Sequence, residues 1–189
     1  MKRNYLLATG VLAITFGAIA MFQSCGKIAG LLNFNLNMQT ESVNVTIPVT
    51  NDTSGIITVG PSVSYFNVDS FIKSQTGNQF GAANIASLKL RSVVFTLNNA
   101  DLTTNNFSSF QSVAASFSSN TNSTPYNVNI ANNPDVFSST LNVPIDTTID
   151  LKTYIGNQYN YSVTGRLRHG TTKPLDCTVT FTFSVNVKG

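Results

Sequence analysis

The side chains able to do covalent, acid–base or metal chemistry are few and scattered. There are two thiols, Cys25 and Cys177, and one imidazole, His169. The carboxylates stand singly at Glu41, Asp52, Asp69, Asp101, Asp135, Asp146, Asp150 and Asp176. A serine hydrolase needs an acid, a histidine and a serine brought together in space. His169 lies between Arg168 and Gly170 in a connection rich in Gly, Thr and Pro, which reads as a solvated turn rather than a general base. A glycosidase needs two carboxylates facing each other across a cleft, and no spacing here predicts such a pair. A zinc site needs clustered His and Cys, which the chain lacks. Calcium needs several oxygen ligands. Asp52 beside Asn51, and Asp135 near Asn132 and Asn133, carry oxygens but read as turns. No Gly-rich phosphate loop or other cofactor motif is present, so no cofactor or metal is expected.

Cys25 has a more telling context. Lys2 and Arg3 precede an uncharged apolar stretch over residues 5–22, followed by Gln23-Ser24-Cys25-Gly26. A positive start, an apolar run and a small residue before the cut form the layout of a secretory signal peptide. The segment Phe22-Gln23-Ser24-Cys25 resembles the lipobox of bacterial lipoproteins, with Ser24 and Cys25 fitting and Phe22 and Gln23 departing from the usual Leu and small residue. The resemblance implies removal of residues 1–24, acylation of the Cys25 thiol with diacylglycerol and palmitate-type chains, and a short lipidated tether over residues 25–31. The partner it implies first is therefore a membrane, held through the lipid. No Asp follows Cys25, which by the same resemblance favours the outer membrane. No acidic cluster follows either, so a periplasm-facing position is expected over a surface-exposed one. Asp146-Thr147-Thr148 is similar to a short O-glycosylation motif of Bacteroidota. With Cys25 taken by lipid, Cys177 has no partner for a disulfide. It stands in phase with Val179, Phe181 and Phe183, as a small buried residue would.

Charge excludes further classes. Charged residues make up only 10% of 189 residues, and Lys2 and Arg3 fall in the leader. That leaves nine of the 11 basic residues against eight acidic ones, no basis for nucleic-acid binding. One cationic cluster is a candidate: Lys89 with Arg91 on one strand face, and Arg166 with Arg168 on another. If those two strands pair, the four form an anion-facing patch.

The elements that must position these groups are strands, because period-2 alternation dominates. Leu32, Phe34, Leu36 and Met38 alternate, then Val43, Val45, Ile47 and Val49 alternate in the opposite parity. That slip demands a turn or a bulge near Thr40-Glu41-Ser42, and a tight antiparallel pair is expected there. A short strand follows from Ile56 to Val59, ended by Gly60-Pro61. Asn67 caps a predicted short helix with Val68, Phe71 and Ile72 on one face. Leu88 and Leu90, then Val93, Phe95 and Leu97, mark the strongest strand, with a bulge near Arg91-Ser92. Further strands carry Val113, Ala115 and Phe117; Tyr126, Val128 and Ile130; Leu141, Val143 and Ile145. Residues 150–155 form a second helical candidate capped by Asp150. Two long strands close the chain, through Tyr159, Tyr161, Val163 and Leu167, and through Cys177 to Val187, with residues 169–174 expected as the hairpin between them.

Eight or nine strands with short connections predict an all-β domain over residues 32–189: an antiparallel two-layer β-sandwich, Ig-like in architecture, with one or two short helices. The Ig disulfide and Trp are absent, so the likeness is of architecture and not of family. The function expected first is non-catalytic binding or scaffolding of another envelope component by a lipoprotein. Two alternatives stand beside it. One is a carbohydrate-binding module using Tyr65 with Phe66, or Tyr154, Tyr159 and Tyr161, as an aromatic platform for an envelope glycan. The other is a hydrolase whose site the spacing does not reveal.

Overall fold

The computed structural model describes residues 33–40 and 42–189. The leader, the tether and Cys25 lie outside the described residues. Among the described residues there are nine strands and one α-helix: β1 (Asn33–Gln39), β2 (Val43–Ile47), β3 (Ile56–Tyr65), α1 (Val68–Gln75), β4 (Ile85–Leu97), β5 (Phe110–Ser119), β6 (Tyr126–Ile130), β7 (Thr140–Val143), β8 (Gln158–Leu167) and β9 (Leu175–Lys188). One sheet runs β1-β9-β4-β7, with β2 also paired to β9, and the other runs β3-β8-β5-β6. Every pairing is antiparallel. The expected two-layer antiparallel sandwich is what the chain forms.

Its strand order is that of a jelly roll. Both β1 and β2 run antiparallel to β9 along the same edge, so they are one broken strand. Counted so, each successive strand crosses to the opposite sheet except at β5–β6, a pair that stays in one sheet. Two expected hairpins are thereby replaced. Gln39 lies opposite Thr182 and Val43 opposite Val179, so four residues on one side match three on the other. The parity slip is thus a bulge: one extra residue returns the apolar set to the core without reversing the chain. Residues 169–174, for their part, carry the chain from β8 in one sheet to β9 in the other.

Two other expectations change. The strand β3 continues past Gly60-Pro61, because its register to β8 skips between Val59 and Ser62 and then resumes. As a sheet edge it tolerates a proline. Gly60 has φ +115°, and a side chain there would meet the Tyr161 carbonyl at 2.8 Å, so only glycine fits the bulge. Residues 150–155 supply a single 3₁₀ turn, Lys152–Tyr154. The helix α1 forms as expected, with the Asn67 side chain accepting from the Ser70 amide.

The core lies between the sheets and follows from alternation. On β9, Cys177, Val179, Phe181, Phe183, Val185 and Val187 are buried, while Thr178, Thr180, Thr182, Ser184 and Asn186 face outward. From the other sheet, Phe117 packs edge-on against Phe183 (5.5 Å), Phe181 (5.9 Å) and Tyr154 (5.2 Å). Such tilted ring contacts add to the burial of apolar area.

Candidate functional site

The four candidate cations do not meet. Lys89 and Arg91 lie on β4, which pairs with β9 and β7. Arg166 lies on β8, which pairs with β3 and β5, and Arg168 follows just after it. The two pairs therefore belong to different sheets, and the single patch expected from sequence is replaced by two separate pairs. Arg166 Nε donates to the Thr53 carbonyl at 3.3 Å. Arg168 is spent on structure: Nη1 donates to the Ser108 carbonyl and Nη2 to the Asn133 carbonyl, both at 2.6 Å. It also stands 3.6 Å from Asp135.

Lys89 and Arg91 remain turned to an open site. They line a cavity of 380 Å³ together with Leu90, Thr147 and Ser184. Three local features build it. Ser184 stands opposite Lys89 in the β4–β9 register, and the next step of that register is the bulge between Leu90 and Ser92 that holds Arg91. Strand β7 pairs with β4 only as far as Val93, opposite Val143. The 144–149 segment then arches away and returns at residues 150–151, where Asp150 Oδ1 accepts from the Leu88 amide (3.0 Å) and the Leu151 amide donates to the Leu88 carbonyl (2.6 Å). Within the arch, Asp146 Oδ1 accepts from the Thr148 hydroxyl (2.6 Å) and amide (2.8 Å). Those two bonds hold the Asp146 carboxyl below the usual carboxylate range, with a smaller contribution from the Lys89 charge.

No ion pair among the described residues includes Lys89 or Arg91. Arg91 Nη1 reaches the Asn37 side-chain oxygen across β9 at 3.4 Å. The arrangement places an ammonium, a guanidinium and two hydroxyls around one cavity, which is chemistry for an oxyanion. Sequence reasoning found Lys89 and Arg91 by their shared strand face. It missed Ser184 and Thr147 as members, since the first needs the β9 register and the second a loop path.

The remaining candidates have structural partners. The His169 imidazole faces Asp135 at 3.9 Å with both side chains 59% exposed, and its amide donates to the Ser109 carbonyl. Cys177 is buried, and burial pushes its thiol up to about 12. Asp52 Oδ1 accepts from Ser54 and Gly55 amides, closing a turn. Asn133 is turned inward, its amide donating to the Phe107 and Phe110 carbonyls. Among the described residues no group of three or more His, Cys, Asp or Glu could hold a metal.

The tyrosine platform is corrected. Tyr154, Tyr159 and Tyr161 are buried, because Tyr159 and Tyr161 occupy inward positions of β8 and the Tyr154 hydroxyl donates to the Thr124 carbonyl. Phe66 packs against Phe71, leaving Tyr65 exposed at the end of β3.

With this geometry in view, comparison with known proteins adds little. No family model and no curated protein matches the chain. Among solved structures it is similar to one of Desmodium yellow mottle tymovirus, at 9% identity and a TM-score of 0.32, over 84% of this chain and 89% of that one. It is also similar to a protein of Eubacterium rectale described as secreted (13% identity, TM-score 0.39, 84% of this chain and 40% of that one). A third likeness is to infectious bursal disease virus (10% identity, TM-score 0.39, 83% and 32%). The chain spans less than half the length of the last two. Likenesses this distant say nothing about what the chain binds or does.

Proposed function

We propose that this chain is a non-catalytic lipoprotein of the bacterial outer membrane, anchored through Cys25 and facing the periplasm, whose jelly roll binds another envelope component. One observation supports binding over chemistry. Asp101 and Cys177 are engaged in holding a loop and the core and His169 is exposed beside Asp135, whereas the Lys89–Arg91 cavity is lined by cations without a carboxylate partner among the described residues. The described residues begin with β1, at Asn33 beside Lys188.

The test is the intact mass of the membrane-extracted protein beside a Cys25→Ser variant. A chain beginning at Cys25 with added acyl mass, lost in the variant, is expected. A chain retaining Met1, or one cut without lipid, refutes the anchor. Crosslinking from intact envelopes then reads the partner. A second reading, a carbohydrate-binding module, is favoured by the same cavity and no longer by the tyrosines.

A further inference from the structure

We propose that the cavity between β4 and the 144–149 segment binds the carboxylate or phosphate of an anionic saccharide. Lys89 and Arg91 take the charge, and Thr147, Ser184 and Asn37 take the neighbouring hydroxyls. The inference rests on the reading of the domain as a binding module and names the chemistry of its ligand.

The argument begins with the cations. A Lys and an Arg two residues apart on a strand face the same side, and the bulge at Arg91 lets the guanidinium turn toward its neighbours without losing the strand. Lone surface cations on a strand also serve to discourage edge pairing. Here that edge is already covered: β7 pairs with β4 only from Val93 to Thr96, but beyond it Asp150 and Leu151 bond the Leu88 amide and carbonyl. Nor does either cation serve an ion pair among the described residues. The nearby acid, Asp146, is committed to its own turn through Thr148.

The surroundings point to a saccharide rather than a bare ion. Asn37, Ser184 and Lys89 stand side by side across β1, β9 and β4, in register. The next row holds Asn35, Asn186 and Ser87. Within a row the neighbours stand ~4.8 Å apart. Asn186 donates to the Asn33 and Asn35 side-chain oxygens, so the second row offers the Asn35 amide nitrogen and the Ser87 hydroxyl to sugar hydroxyls, as a point charge would not require. A lipid headgroup is the other source of an oxyanion. Lys89 lies opposite Ser184, four residues along β9 from Lys188, where β1 begins. That is roughly 13 Å from that end, on the face of the sheet. The neutral amides and hydroxyls beside the cations favour the saccharide over the headgroup.

The full chain with its anchor, purified in detergent, is titrated calorimetrically with oligogalacturonate, a phosphorylated mannan oligosaccharide and neutral dextran oligomers. Either anionic saccharide is expected to bind, weakening as salt rises, and dextran is not. Lys89→Gln with Arg91→Gln is expected to weaken binding by roughly tenfold or more. Lys89→Arg should retain it, Asp146→Asn should tighten it, and Arg166→Gln on the other sheet should leave it unchanged. Melting curves of each variant report folding separately. Binding of neither anionic probe, equal binding of dextran, or full binding by the double variant overturns the inference. So does displacement by phosphatidylglycerol doped into the micelles, which would make the cavity a headgroup site. None of these outcomes touches the lipid anchor, which the Cys25 mass measurement decides alone.

Discussion

Arg168 and the Lys89–Arg91 pair looked alike in sequence, and substituting Arg168 separates them. In Arg168→Gln the two carbonyls of Ser108 and Asn133 lose a charged donor each, at 2.6 Å in the native protein. A hydrogen bond from a charged group contributes about 1.5–3 kcal/mol. The Arg168 side chain is 25% exposed, so water replaces part of the loss. Its pairing with the well-exposed Asp135 adds no more than ~1 kcal/mol. The net cost is about 3 kcal/mol, a fall in Tm of roughly 6–12 °C for a domain of this size. Arg168→Lys should recover less than half of that, because one ammonium does not reproduce a fork. Lys89→Gln and Arg91→Gln should each stay within ~0.5 kcal/mol of the parent, as surface changes do. Thermal denaturation followed by circular dichroism measures all four. A shift under 2 °C for Arg168→Gln, or an equal loss for Lys89→Gln, would refute the assignment of Arg168 to structure and of Lys89 to an open site.

Three further outcomes are expected. Phe117→Ala, at the meeting of five aromatic rings, should cost about 3–5 kcal/mol and bring urea unfolding to a much lower midpoint. Cys177, with its thiol pushed up to about 12, should resist iodoacetamide at pH 8 in the native protein and react once unfolded; prompt native labelling would mean the β9 core opens. Asp101 accepts from the Asn105 side chain and from the amides of Thr103, Thr104 and Asn105, which hold its carboxyl well below the usual range. A depressed folded pKa stabilises above the unfolded value of about 4 and is lost as pH falls through the folded one. The stability gap between the parent and Asp101→Asn, read from urea midpoints, should therefore be widest near neutral pH and narrow below about pH 4; a gap independent of pH contradicts this.

Much of the fold was legible because strand alternation is local. The inward set on β9, the bulge beside Arg91 and the Asn67 cap of α1 each follow from residues within a few positions of one another. The site was legible only by half. Lys89 and Arg91 share a face by spacing alone, while Ser184 joins them through a pairing nearly a hundred residues apart in the chain.

Sequence by itself determined that the chain is a β-sandwich, which residues point inward, that Cys177 is core, and that residues 1–25 resemble an export leader with a lipid-bearing Cys25. Tertiary structure alone decided which strands are neighbours. A parity slip at 40–42 is satisfied equally by a hairpin or a bulge, and Pro-Gly-rich connections suit a hairpin or a crossover alike, since both need only a local change of direction. The choice rests on which sheet offers a complementary apolar face, a sum over contacts distant in sequence. That sum set β4 and β8 in opposite layers, divided the four cations, and left two of them beside Thr147 and Ser184 at an open cavity.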